Sequence, residues 1–216
     1  MALVIGTNCG FVEEAPVDNP SGESGIAIDT QARAVRDTSP ATATTVTEIG
    51  WYARGPTEEA DFEGGIYTDE ENDEPEDLVD KGSGVKGESG GWYRITGLNI
   101  PISSNTVYWL AIQLDDTTVA TAIDREISGG TAGARITSQT DLPADWGTSA
   151  TKYPGHLFAI YAVWEGEPPP ASTTAINIGD EWKSIAALKI NIGDAWKAIS
   201  AAKINIGDVW KVLDIA

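Results

Sequence analysis

Hydrophobic and polar positions alternate in short runs along much of the chain. ARAVRDT (32–38), TTVTEIGWYAR (44–54), FEGGIYT (62–68), GWYRITGL (91–98), NTVYWLAIQL (105–114), TVATAI (118–123), GARITS (133–138) and HLFAIYAVW (156–164) are rich in β-branched and aromatic residues. Clusters of Gly, Pro, Asn, Asp and Ser separate them. A period of two predicts strands, and their spacing predicts an antiparallel β-sandwich or jelly roll rather than βαβ units. In VYWLAIQL both alternating sets are largely apolar, which predicts a central strand covered on both faces. HLFAIYAVW reads the same way.

The pattern changes after EGEPPPAST (165–173), where consecutive prolines hold an extended path and cannot join a sheet interior. INIGDEWKSIAALK, INIGDAWKAISAAK and INIGDVWKVLDIA then repeat one phrase at a period of 14 residues. The expected fold is therefore all-β: a sandwich over residues 1–167, a proline-rich linker over 168–175, and three tandem β-hairpin repeats over 176–216. Burial patterning favours a three-residue loop Gly193-Asp194-Ala195, which pairs Ile192 with Trp196 and Asn191 with Lys197 and gathers the apolar residues on one face. The competing two-residue Gly-Asp turn sends isoleucine and tryptophan to opposite faces. A lone two-stranded ribbon is marginal in water, so Ile176, Ile178, Trp182, Ile190, Ile192, Trp196, Ile204, Ile206 and Trp210 are expected to form an assembly surface. Either the three hairpins close around a pseudo-threefold axis within one chain, or they stack against other chains, as in a homotrimer.

Charge sharpens the division. The formal net charge is −19, yet residues 176–216 hold five acids and five lysines; removing these from the totals leaves 28 acids against nine bases on residues 1–175. Such a body repels nucleic acid and anionic membrane surfaces, so neither is an expected partner. Cys9 is the single cysteine, which excludes an internal disulfide. The opening MALVIGTNCGFVEEAP lacks the basic start and apolar core of a signal peptide, and no run approaches the length of a transmembrane segment.

Candidate chemistry is sparse. TDEENDEPEDLVD (68–80) sets Asp69, Glu71, Asp73 and Asp77 at alternate positions, loosely like the oxygen ligands of a calcium loop. Glu74 stands where an EF-hand needs glycine and Asp80 where it needs a bidentate glutamate, so only a looser surface calcium ion fits, and no other cofactor is expected. Acids are so plentiful that picking a glycosidase pair would be arbitrary. His156 has no second histidine for a metal site, and Cys9 has no activating neighbour in sequence. No set of groups with catalytic roles emerges, and no enzymatic activity is expected. Trp146 and Tyr153, in DLPADWGTSATKYPG (141–155), are the aromatic residues placed to meet a glycan, with core packing or loop pinning as the competing fate.

Two stretches resemble known families. TVTEIGWYAR, GGIYTDEENDEPEDLV and GGWYRITGLNIPISSNTVYWLAIQLD are similar to a widespread β-sandwich module of extracellular and virus-encoded proteins. The resemblance covers roughly residues 32–123 and implies a concanavalin-like or carbohydrate-binding-module-like jelly roll, with Tyr67, Trp92, Tyr108 and Trp109 on mostly core positions. The loop after Tyr67 is more acidic than that family pattern. The "I.IG..WK" hairpins resemble repeats of tailed-phage virion proteins, fibres and appendages among them. Together these imply a non-enzymatic virion structural protein of a tailed phage or archaeal virus, of the capsid-decoration, head-fibre or tail-fibre type. It would assemble in the host cytoplasm with itself and other virion proteins and stand on the virion surface. The alternative is an adhesion module that recognises a cell-surface glycan.

Overall fold

The computed structural model describes residues 3–12, 24–55, 57–69, 74–115, 117–147 and 150–165, and in the tail the strand backbones 175–178, 181–184, 189–192, 195–198, 201–206 and 209–214. The chain divides into two compact units, Met1–Gly166 and Glu167–Ala216. The expected linker lies outside the described residues except for Ala175, as do Glu71 and Asp73.

The first unit contains β1 (Cys9–Gly10), β2 (Ser24–Ala27), β3 (Gln31–Thr38), β4 (Thr45–Arg54), β5 (Ala60–Asp69), β6 (Pro75–Lys86), β7 (Gly91–Pro101), β8 (Val107–Leu114), β9 (Ala122–Thr137), β10 (Thr151–Phe158) and β11 (Ile160–Glu165). Every ladder between these strands is antiparallel. One layer runs β6-β5-β8-β3-β9, and the other joins β7, β4, β11 and β1. β9 links them, pairing with β3 through residues 133–137 and with β4 through Ala122 and Ile123. Strands β3 to β5 and β6 to β8 cross from layer to layer and back, the winding expected of a jelly roll.

Side-chain alternation explains the layering. On β8, Tyr108, Leu110, Ile112 and Leu114 enter the main core, where they meet Ile49 and Trp51 of β4 and Ile95 of β7. The approach is close: a Cβ at Gly64 of β5 would lie 2.8 Å from Ile49 and 3.1 Å from Ile95. Bulges preserve the pattern. Val46 and Ile49 are an odd number of residues apart yet both enter the core, because the β4–β7 register shifts between Val46 and Glu48. The other face of β8 is also covered: Trp109 and Ala111 join Ala32, Ala34, Tyr67, Ala134, Leu142 and Trp146 in a second cluster. VYWLAIQL is thus a central strand buried on both faces.

The sequence runs at β3, β4, β5, β7 and β8 coincide with strands, and three other expectations need correction. TVATAI becomes strand only at Ala122, and HLFAIYAVW breaks at Ala159 into β10 and β11. PEDLVDKGSGVK, whose first half falls in the acidic loop expected over 68–80, is β6, the edge strand of its layer. Edge strands tolerate polar residues and glycine because one side lacks a sheet partner. Gly82 has a further reason, since a Cβ there would lie 2.5 Å from Leu98.

In the second unit β12 (Ala175–Ile178) pairs only with β13 (Glu181–Ser184), β14 (Lys189–Ile192) with β15 (Ala195–Ala198), and β16 (Ala201–Ile206) with β17 (Val209–Asp214). Ile192 stands opposite Ala195, Asn191 opposite Trp196 and Ile190 opposite Lys197, and the other two ribbons repeat this register. The register is therefore the one with two residues between the paired strands, not three. By register, isoleucine and tryptophan positions take opposite parities of the ladder rather than the same one.

Candidate functional site

The described sequence candidates have different settings in the fold. Trp146 is 1% exposed, packed edge-on against Tyr67 with ring centroids 5.1 Å apart. It belongs to a strap over the outer face of β5 and β8: Tyr67 donates to the Pro143 carbonyl at 2.7 Å, the Leu78 amide to the Ala144 carbonyl at 2.9 Å, and the Trp146 amide to the Glu76 carbonyl at 2.9 Å. Trp146 therefore pins a loop and offers no ring face to a sugar. Loop pinning wins because the alanines at 32, 34, 111 and 134 leave a shallow floor that a large ring fills.

Of the proposed calcium ligands, Asp69 and Asp77 lie among the described residues. Asp69 ends β5 and takes both nitrogens of a fork from Arg36, at 2.7 and 2.6 Å, together with the indole N–H of Trp109 at 2.7 Å. Its carboxylate is committed to this half-buried ion pair. Asp77 lies on β6, its amide donating to the Thr68 hydroxyl at 3.0 Å. No group of three or more His, Cys, Asp or Glu side chains among the described residues is arranged to hold a metal ion.

Acids do converge elsewhere. Asp61, Glu63, Asp115 and Asp141 line an open groove of ≈ 410 Å³ with Phe62, Ser83, Gly84, Val85 and Thr140. Glu63 is held by Lys81 at 2.7 Å and accepts the Leu142 amide at 2.6 Å, and Asp115 accepts from Gln113 at 3.3 Å. These bonds anchor the strap and the β8 end, which gives the groove a structural part.

The second aromatic candidate, Tyr153, leads to a different constellation. β3, β9 and β10 bring together Arg33, Arg135, Tyr153, His156 and Phe158. Arg33 and Arg135 are direct cross-strand partners. The Arg33 guanidinium lies 5.3 Å from the Phe158 ring and 5.9 Å from Tyr153, and that of Arg135 lies 5.4 Å from Tyr153. Tyr153 and His156 are 5.2 Å apart, and Arg125 meets His156 Nδ1 at 3.3 Å. Arg33 is 1% exposed; its Nε and Nη2 donate to the Ala27 carbonyl at 2.9 and 2.7 Å, and Nη2 also to Gln31 at 2.8 Å. Burial pulls its pKa down to about 10; Tyr153 opposes this, and Arg135 and Arg125 reinforce it. His156 is lowered in the same way, by burial first and then by Arg125 and Arg33. Sequence reading missed this cluster, although ARAV and GARI each place an arginine between small residues on an alternating strand.

Cys9 is buried, and its thiol is pushed up to about 12 by burial and then by Glu48, which makes it a poor nucleophile. Of the aromatic residues given core roles, Tyr67, Tyr108 and Trp109 are buried, whereas Trp92 is half-buried between Tyr52 and Tyr161, at 5.4 and 5.3 Å. No helix among the described residues is long and apolar enough to cross a membrane. No family model matches the chain, and no curated protein matches it significantly.

Proposed function

We propose that the chain is a non-catalytic display protein, in which a repeat tail self-associates and carries a β-sandwich on the outside of a virus particle as a decoration or fibre component. One observation carries this reading: the tail consists of three separate two-stranded ribbons in one register, each hydrogen-bonded only within itself. Such ribbons are marginal alone.

The two-residue register refines the assembly surface. Isoleucine positions fall on one face of each ribbon and tryptophan positions on the other, so a ribbon is suited to cover on both sides. Burying each of these side chains contributes about 1.5–3 kcal/mol. Balanced charge in the tail lets copies approach, while the acidic sandwiches keep apart and soluble. The virion location rests on the resemblance of the "I.IG..WK" repeats, with the homotrimer as the expected unit.

Light scattering on the intact chain with Trp182, Trp196 and Trp210 all changed to Ser tests the assembly role. The expected result is a fall from an oligomer to the 22.8 kDa protomer with the sandwich still folded. An unchanged mass contradicts it. Labelling of intact particles by antibodies raised against the sandwich checks the location.

A further inference from the structure

We propose that Arg33, Arg135, Tyr153 and His156 form a binding site for the oxyanion group of a small ligand, a carboxylate or sulfate. The argument starts from an oddity of pairing. In a chain of 33 acids and 14 lysines and arginines, two arginines stand directly opposite each other across the β3–β9 ladder. Like charges in that position repel, and a buried guanidinium without a counter-charge is costly.

The hydrogen bonds show where the counter-charge is missing. Nη1 of Arg33, a residue 1% exposed, has no partner, and neither has Nε of Arg135. Tyr153 favours the charged form of Arg33 through its charge and a hydrogen bond, and Arg135 and Arg125 oppose it. Those acting on His156 are Arg125 and Arg33. Among the described residues, no carboxylate contributes to either. An oxyanion would accept from the orphaned N–H groups of both arginines, for which the planar guanidinium is well shaped. Tyr153, close to both guanidiniums, supplies an apolar ring and a hydroxyl alongside the bound group, an arrangement that suits an acidic sugar as well as a free anion.

His156 is the chain's one histidine, so its imidazole NMR signal is an unambiguous reporter. The intact protein is titrated with sodium sulfate and, separately, sodium glucuronate, at ionic strength held constant with chloride. The expected result is a saturable shift of the His156 signal and a rise of its titration midpoint by about one pH unit, as a neighbouring negative charge favours the imidazolium. Tighter binding of glucuronate marks a sugar acid as the ligand class, and tighter binding of sulfate marks an inorganic or sulfated group. Arg135→Gln should weaken binding about tenfold or more, and Arg135→Lys, which keeps the charge but loses the fork, should restore part of it. Thermal unfolding of both variants verifies the fold. Absence of saturation with either anion, or equal affinity in Arg135→Gln, overturns the proposal.

Discussion

The sandwich and the tail are both antiparallel β-structure, but they differ in how their strands are joined. In the sandwich, Trp51, Trp109 and Trp146 are fully buried by neighbours in the same chain, and β8 has a strand on each side and a cluster on each face. In the tail each strand has one lateral partner, and the ribbons contain an isoleucine- and tryptophan-rich phrase. The charges divide the same way, with the acid excess on the sandwich and balance in the tail. Sheet content alone therefore says little about independence; closure of the core within one chain decides it.

Breaking the sandwich should leave assembly intact. The largest effect is expected from Trp109→Ala, which removes the centre of the outer cluster and the indole donor to Asp69. A loss of about 3–5 kcal/mol in urea unfolding, with unchanged oligomeric mass, is the expected outcome. Asp69→Asn keeps the shape but weakens the Arg36 fork, and should cost about 1–3 kcal/mol. Gly82→Ala places a methyl against Leu98 and should cost about 1 kcal/mol or more. A fall in oligomeric mass in any of these folded variants would blur the comparison.

A smaller effect comes from pH. The Cys9 thiol is raised from 9.0 to about 12, and burial also raises the phenols of Tyr67 and Tyr161. The folded state keeps these protons where the unfolded chain has lost them. Stability is then complete below about pH 9 and declines as pH rises toward the folded-state values. Urea midpoints measured from pH 8 to 11 should fall, and Cys9→Ala should make the fall shallower. Identical slopes would show that the thiol takes no part.

Much of this division is legible in the residues. VYWLAIQL announces a doubly covered strand because both parities are apolar, and the 14-residue phrase announces three equal units. β6 is hidden because an edge strand needs neither alternation nor β-branched residues, and Gly82 answers to Leu98, a contact between successive strands of different layers. Trp146 reads from sequence as a candidate for a glycan contact as well as for core packing or loop pinning, and the alanine floor assembled from β3, β8 and β9 decides for the latter. The arginine cluster is hidden for a related reason: Arg33 and Arg135 become neighbours only when β3 and β9 pair. In the tail, a burial argument that assumes one apolar face chooses the wrong register, because the preference of Gly-Asp for a two-residue connection outweighs it.

Sedimentation of the intact chain beside a fragment ending at Gly166 tests the central claim most directly. The account predicts a folded, monomeric fragment and an intact chain that sediments as an oligomer, with three copies as the expected unit. An intact chain that remains monomeric at the same concentration, or a fragment that oligomerises as fully as the whole, would contradict it.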